Sequence, residues 1–128
     1  MNVLTINSAP RYKRDNITSY LLVSEDTCHS QNLTITIVDM EPGGIQQVHS
    51  HDPEQMYCIM EGSGRMTVDD EQRQVKAGEC IFFSSRSRHG LENTGSTVLR
   101  YLSAASPSFK KEDSRKLWPL KSLDEEGE

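Results

Sequence analysis

Short β-like runs separated by turn signals are the feature that most constrains how this chain folds. Four of them are rich in β-branched, aromatic or other apolar residues: LTITIVDM (33–40), QMYCIME (55–61), CIFFS (80–84) and TVLRYLSA (97–104). Turn sequences such as EPGG (41–44) and KAGE (76–79) lie between them. Such elements, recurring about every 8–12 residues, predict an all-β sandwich or barrel.

The remaining segments fit the same pattern. SYLLVS (19–24) is a further strand, and RMTVD (65–69) with RQV (73–75) predicts a hairpin. No helix is predicted before residue 105. Residues 106–118 could form one, because Ser106 is a possible N-cap and Pro107 would occupy the first helical position. Residues 119–128 are expected to be frayed or disordered.

Composition narrows the classes of function. A chain of 128 residues is long enough for one domain with one hydrophobic core. The net charge is −5, and the absence of a basic cluster argues against a nucleic-acid partner. No apolar run approaches the roughly 20 residues that a membrane-spanning helix needs.

The cysteines suggest a compartment. Cys28, Cys58 and Cys80 are odd in number and lack C-x-x-C spacing, so no disulfide framework is predicted. A reducing cytoplasm is the simplest location for such a chain. Cys58 and Cys80 are expected to behave as small buried apolar groups.

Two of the four histidines, His49 and His51, stand one residue apart. Alternate residues of a strand point the same way, so both imidazoles should project from one face. Gln55 has the same parity as His51, although Asp52-Pro53 interrupts the strand. Glu54 is the rival oxygen ligand and would need a backbone shift to point inward.

A third imidazole comes from His89, which follows a strand and a turn. Three imidazoles and one oxygen suit Zn²⁺, Fe²⁺, Mn²⁺, Ni²⁺ or Co²⁺. An H-x-H pair on a strand is by itself more often structural than metal-binding. His29 lies between polar residues and is interpreted as a loop residue without a role.

The spacing around these histidines resembles the cupin superfamily. The first cupin motif, G-x5-H-x-H-x3,4-E-x6-G, matches Gly43, His49, His51, Gln55 and Gly62 at every spacing. Gln55 stands where the family has Glu, and this is the one difference in residue type.

The second cupin motif, G-x5-P-x-G-x2-H-x3-N, follows in order. It corresponds to Gly78, Ser84, Arg86, His89 and Asn93, where Ser84 and Arg86 replace the Pro and the second Gly. These replacements are expected to change the turn that delivers His89.

The resemblance covers about residues 33–104. It implies a double-stranded β-helix, or jelly-roll barrel, that holds a metal inside. The predicted organisation is therefore a barrel over residues 1–105 and an extension, 106–128, that is irregular or helical and partly disordered.

The neutral amide of Gln55 has a chemical consequence. With Gln in place of Glu, the metal and its ligands carry one more positive charge, which makes the ion a stronger Lewis acid. This favours an anionic or enolisable substrate. Three-His-one-Gln sites occur in some polyketide cyclases and in cupins that act on unsaturated uronates. The uronate group has a D-x-F pattern followed by a downstream Arg. This chain has Tyr101 and Ser103 at the D-x-F positions, and the following ASPSFKK contains no Arg, so the activity of that group is not inferred.

The alternation of the same strand suggests further roles. If Gln55 points inward, Tyr57 does too and could contact substrate. Met56, Cys58 and Met60 would then form an apolar outer face that needs a cover. The N-terminal strand, the C-terminal segment or a second subunit could provide it. Because cupins are commonly dimeric, a homodimer is favoured over packing within one chain.

Three other side chains are candidates for the pocket. Arg86 and Arg88 could hold a carboxylate or phosphate at its mouth, although such arginines are more often solvated loop residues. Tyr101, on the closing strand, could be a catalytic proton donor.

The leading functional hypothesis is a metal-dependent enzyme that isomerises, cyclises or hydrates a small molecule, or acts as a lyase, without redox change. One alternative is an Fe- or Ni-dependent dioxygenase. Another is a non-catalytic barrel that binds a sugar or an anion.

Overall fold

The computed structural model describes residues 1–107, and these form ten β-strands and one short helix. The strands are β1 (Arg11–Arg14), β2 (Ile17–Val23), β3 (Thr34–Met40), β4 (Ile45–His49), β5 (Glu54–Glu61), β6 (Ser63–Val68), β7 (Glu71–Lys76), β8 (Cys80–Phe83), β9 (His89–Glu92) and β10 (Leu99–Ser106). The helix α1 spans Glu25–Cys28. No helix in this part of the chain has the length and apolar character to cross a bilayer.

The strands form two antiparallel sheets. Six strands make one sheet in the order β1-β2-β3-β10-β5-β8, and four make the other in the order β4-β9-β6-β7. The chain passes from one sheet to the other between β5 and β6 at Gly62, where φ is +82°. A β-carbon there would lie 2.6 Å from the carbonyl oxygen of Val98, so only glycine fits. The predicted all-β jelly-roll architecture is confirmed.

The alternation predicted for β5 is confirmed. Gln55, Tyr57 and Ile59 are buried, whereas Met60 on the opposite face is 48% exposed. The neighbouring strand β8 divides in the same way, since Phe83 is 2% exposed and Phe82 is 64% exposed. An apolar outer face therefore exists, and its cover by a second subunit stays a prediction.

The inward-facing residues change character along each strand. At one end of the barrel they are apolar and include Ile17, Met40, Leu91 and Leu99, which we call the apolar half. In β3, Thr34 and Thr36 are buried, whereas Ile35 between them is half-buried. Thr36 and Val38 are two residues apart and therefore lie on the same inward face of the strand. Thr36 is opposite Ser103, and Met40 is opposite Leu99.

Asn93 closes the apolar half. Its side chain is 2% exposed and donates hydrogen bonds to the carbonyl oxygens of Met40 and Thr97, each 2.9 Å long. Its own Oδ1 accepts from the backbone N–H of Gly95 at 2.9 Å. These bonds attach the β9–β10 loop to the end of β3, which gives this motif residue a structural function.

One element contradicts the expectation of no helix before residue 105. The single turn α1 begins after Ser24, whose hydroxyl accepts from the backbone N–H of Thr27 at 3.1 Å. Thr27 Oγ1 accepts in return from the backbone N–H of Ser24 at 2.9 Å, which completes a capping box. The helix predicted over 106–118 lies almost wholly outside the described residues.

The expectation for the cysteines was wrong. Cys58 on β5 and Cys80 on β8 are direct partners across the two strands and form a disulfide, while Cys28 is free. Cys80 is exposed rather than buried. The two cysteines are separated by 22 positions in the sequence, and that spacing gives no indication of this register. The argument for a reducing compartment therefore loses its basis in the cysteines.

Candidate metal centre

Three of the four histidines converge inside the barrel, as the motif spacing predicts. His49 ends β4 and lies opposite His89, the first residue of β9, while His51 belongs to the loop after β4. One ring nitrogen from each lies within 4.8 Å of the others. Such a cluster has the spacing needed to bind one ion.

Each imidazole is held in position by the main chain. The Nδ1 atoms of His49, His51 and His89 hydrogen bond to the carbonyl oxygens of Gln47 (2.8 Å), Pro53 (3.1 Å) and Ser87 (3.1 Å). A carbonyl can only accept, so Nδ1 carries the proton in each neutral ring. The lone pair is then on Nε2, as metal-binding histidines require.

Gln55 offers an oxygen to the same place. Its Nε2 donates to the hydroxyl of Ser103, which fixes the orientation of the amide. Gln55 Oε1 is buried and, like His89 Nε2, has no hydrogen-bond partner within residues 1–107. Buried polar atoms normally have partners, so these two atoms fit the donor set of a cation site. Glu54, the rival ligand, is exposed.

The environment keeps the rings neutral. Burial lowers the pKa of His89 to about 3, and the nearby His49 adds to this effect. Burial likewise lowers the pKa of His49. Phe83 stacks on His89 with ring centroids 4.0 Å apart. Both imidazoles are therefore neutral near pH 7, which is the form that binds a metal.

A small cavity adjoins the cluster. Its volume is about 40 Å³, so it admits a few water-sized atoms rather than a drug-sized ligand. The lining residues are Ser19, Thr36, Val38, Gln46, His49, His51, Gln55, Tyr57, Tyr101 and Ser103. None of these ten carries a carboxylate, so nothing in the lining offsets the charge of a bound cation.

Tyr57 and Tyr101 lie between this cavity and the apolar half, with ring centroids 4.4 Å apart. Burial raises the pKa of both phenols above the ordinary value. They stay protonated at neutral pH, and the two phenols also interact with each other. Substrate binding by Tyr57 and proton donation by Tyr101 stay predictions.

Arg86 and Arg88 are outside the cavity lining. The guanidinium of Arg86 pairs with Asp52 at 3.0 Å, and both side chains are about four-fifths exposed. Arg88 is exposed, and its backbone N–H donates to Asp69 Oδ1 at 2.9 Å. Their substrate-binding role stays a prediction.

The turn before His89 contains Arg86, at the position where the second cupin motif has glycine. Arg86 has φ +67°, in the left-handed region that favours glycine. Its backbone N–H donates to the carbonyl oxygen of His51 at 2.9 Å, which joins the two ligand-bearing loops. That the replacements at 84 and 86 change this turn stays a prediction.

The sequence did not single out three polar residues near the centre. Ser103 orients Gln55, and Arg14 donates from Nη2 to Gln46 Oε1 at 3.0 Å beside the cavity. The parity of β10 with Tyr101 could have indicated Ser103. Arg14 and Gln46 are 32 residues apart, and no local pattern connects them.

Comparison with known proteins agrees with the fold and the site. The family model described as "Cupin domain" matches residues 36–105, which is more than half of the chain. The protein therefore belongs to the cupin family, as the two motifs predicted.

Two relatives and one crystal structure illustrate the likeness. An uncharacterized protein of Methanocaldococcus jannaschii is 35% identical over 85 residues, 66% of each chain. The oxalate-binding protein of Thermotoga maritima is 30% identical over 82 residues, 63% of this chain and 68% of that protein. The chain thus aligns with about two thirds of the length of these relatives.

The crystal structure is that of a predicted oxalate decarboxylase, also from Thermotoga maritima. It superposes with a TM-score of 0.75 at 23% identity and covers 83% of this chain and 99% of that one. At this identity the likeness shows the fold.

Proposed function

We propose that this cupin binds one divalent transition metal through His49, His51, His89 and Gln55, and uses it as a Lewis acid on a small oxygen-rich ligand. The observation that carries the proposal is the convergence of the imidazoles with the Gln55 amide oxygen, which is buried and has no hydrogen-bond partner among residues 1–107. Isomerase, cyclase or lyase chemistry follows most directly from such a site.

The donor set favours a class of metal. Three neutral nitrogens and one amide oxygen suit Zn²⁺, Fe²⁺, Mn²⁺, Ni²⁺ or Co²⁺, whereas Ca²⁺ and Mg²⁺ prefer oxygen ligands throughout. When bound, the ion would polarise a substrate oxygen and stabilise negative charge that develops on it. The cavity of about 40 Å³ limits the part of the ligand that enters to a few non-hydrogen atoms.

The protein's own groups would complete the site. Protonated Tyr57 and Tyr101 can donate hydrogen bonds to a bound oxygen, and Tyr101 is the proposed proton donor. Ser103 holds Gln55 so that its oxygen faces the histidines. The name of the Thermotoga maritima oxalate-binding protein supports a small carboxylate as the ligand class.

Metal content is the direct test. Purified protein is stripped with a chelator, incubated with Co²⁺ and desalted; we expect close to one ion per chain and a visible spectrum typical of nitrogen and oxygen ligands. A matched control is His29→Asn, which removes an exposed histidine whose left-handed backbone asparagine tolerates. The control should bind like the wild type. Loss of binding in the control, or wild-type occupancy near zero, would contradict the proposal.

The reaction class needs a second measurement. Metal-free and metal-loaded protein are compared for conversion of small keto acids, enols and hydroxy acids, with oxygen consumption recorded in parallel. Conversion without oxygen consumption that depends on the metal supports the proposed class. Oxygen consumption with iron would indicate the dioxygenase instead. Tight ligand binding without conversion would indicate a non-catalytic cupin.

A further inference from the structure

Arg14 lies where the edges of the two sheets meet. It is the last residue of β1, the outermost strand of the six-stranded sheet, and its guanidinium donates to Gln46 on β4, the outermost strand of the other sheet. Gln46 lines the cavity beside the histidines. The hydrogen bond of 3.0 Å therefore places a permanent positive charge next to the candidate metal centre.

This arginine differs from others in the described part of the chain. Arg65, Arg86 and Arg100 each pair with a carboxylate, and the Arg100–Asp39 pair is bidentate. For Arg14, the structure of residues 1–107 gives only the neutral amide of Gln46 as a side-chain partner, and no ion pair. A guanidinium has five N–H donors, so most of its capacity is left for a ligand.

The electrostatics of the cavity point to an anion. Its lining contains no carboxylate, and a bound divalent cation would be accompanied only by neutral ligands. The charge of Arg14 also acts on Tyr101, which lines the cavity. Burial raises the pKa of Tyr101, and the positive charge of Arg14 acts in the opposite direction. Metal and guanidinium together would form a strongly positive site that binds negative charge.

We propose that Arg14 is a specificity-determining residue that binds a carboxylate of a small dicarboxylic acid while the acid's other oxygens face the metal. This role rests on the proposed function, because it needs a metal at the histidines. A guanidinium binds a carboxylate through paired, charge-assisted hydrogen bonds, which gives both affinity and orientation. Gln46 holds one nitrogen of the guanidinium and thereby directs the remaining donors.

The rival explanation is purely structural, with the Arg14–Gln46 bond acting only to join two sheet edges. Ligand selectivity separates the two. A structural bond would affect stability and the binding of all ligands alike. A carboxylate-binding residue determines the preference for a ligand with two carboxylates over a ligand with one.

The experiment uses wild-type protein, Arg14→Met and Lys13→Gln, each loaded with one equivalent of Co²⁺ and desalted. Lys13 is exposed on the same strand, so its variant removes the same charge without facing the cavity. Calorimetric titrations with oxalate, malonate, succinate and acetate give the preference for the tightest dicarboxylate over acetate. We expect Arg14→Met to lower this preference about tenfold or more, and Lys13→Gln to change it less than about twofold.

The outcomes distinguish this role from the proposed function. Wild-type protein that takes up no Co²⁺ overturns both. If Co²⁺ uptake is normal, three results overturn the role of Arg14 and leave the proposed function intact. They are a wild type that does not prefer dicarboxylates, an Arg14→Met variant that keeps the preference, and a Lys13→Gln variant that reduces it equally. If circular dichroism shows that Arg14→Met is unfolded, Arg14→Lys decides, because it keeps the charge and loses the planar fork. That variant should lose part of the preference, and full retention overturns the proposal.

Discussion

The two halves of this barrel are built from the same strands and have opposite properties. In the apolar half, Met40 and Leu99 are direct partners on neighbouring strands, and both are completely buried. A few residues along the same strands, Thr36 and Ser103 face the cavity next to the three imidazoles, and we call this region the histidine half. Tyr57 and Tyr101 mark the change, because both line the cavity and both also belong to the hydrophobic core.

This division shows how a small barrel can carry a polar site. Buried polar groups without partners destabilise a fold, so the protein stays folded only if interactions elsewhere offset that cost. Here the apolar half provides it, through burial of large side chains and through Asn93, which fixes the adjoining loop. The histidine half can then hold donor atoms that are satisfied by a ligand rather than by the protein.

The largest expected effect belongs to the apolar half. Leu99→Ala should lower the free energy of unfolding by about 2–5 kcal/mol, because the lost side chain leaves a cavity in a rigid core. Urea denaturation of the metal-free protein measures this. Co²⁺ affinity of the folded fraction should stay within about threefold of wild type. Val48→Ala, at a 41% exposed site, should change stability by less than about 0.5 kcal/mol.

A substitution in the histidine half should do the reverse. His89→Ala removes one proposed ligand and should weaken Co²⁺ binding by about 100-fold or more, since loss of residues that merely support metal ligands already costs up to about that factor. Competition with a chromogenic chelator gives the affinity. Stability of the metal-free protein should change less than in Leu99→Ala. A variant that binds Co²⁺ as tightly as wild type would remove His89 from the ligand set.

Ser103→Ala tests whether the amide must be oriented. Without the hydroxyl as an acceptor, Gln55 Nε2 loses its partner and the side chain can rotate. We expect Co²⁺ affinity to fall about tenfold. Ser96→Ala, at an exposed loop position, is the control and should behave as wild type. Equal affinities for both variants would mean that Gln55 does not need Ser103.

The smallest expected effect sharpens the role of charge at the site. Gln55→Glu adds a negative charge beside the proposed cation, so Co²⁺ affinity should rise, by roughly threefold to tenfold, and Lewis acidity should fall. Glu carboxylate can accept a hydrogen bond from Ser103, which preserves the contact. Parallel titrations with Zn²⁺ and Mn²⁺ would reveal a change in metal preference. Unchanged affinity and preference would show that Gln55 is not a ligand.

Much of this architecture could be predicted because it depends on local periodicity and spacing. Alternation in β5 correctly predicted that Tyr57 points inward together with Gln55, since alternate residues of a strand point to the same face. The cupin motifs correctly predicted that His89 joins His49 and His51. These features follow from residues that stand at fixed distances along the chain.

The features that escaped prediction depend on register or on a single local bond. The Cys58–Cys80 disulfide requires β5 and β8 to pair in one register, which their sequences do not specify. Helix α1 is one turn long and depends on a reciprocal cap rather than on hydrophobic periodicity. The contact of Arg14 with Gln46 joins two sheet edges, and each residue alone is typical of a solvated strand.

The hydrogen bonds at the imidazole Nδ1 atoms have a consequence for how such a centre tolerates sequence change. Each acceptor is a peptide oxygen two positions along the chain, at Gln47, Pro53 or Ser87, rather than a side chain. Replacement of the side chains at 47 and 87 would leave these acceptors in place as long as the backbone path is kept. The backbone conformation therefore determines the orientation of the three rings. Neighbouring side chains can change, and so alter which ligand binds, without disturbing these hydrogen bonds.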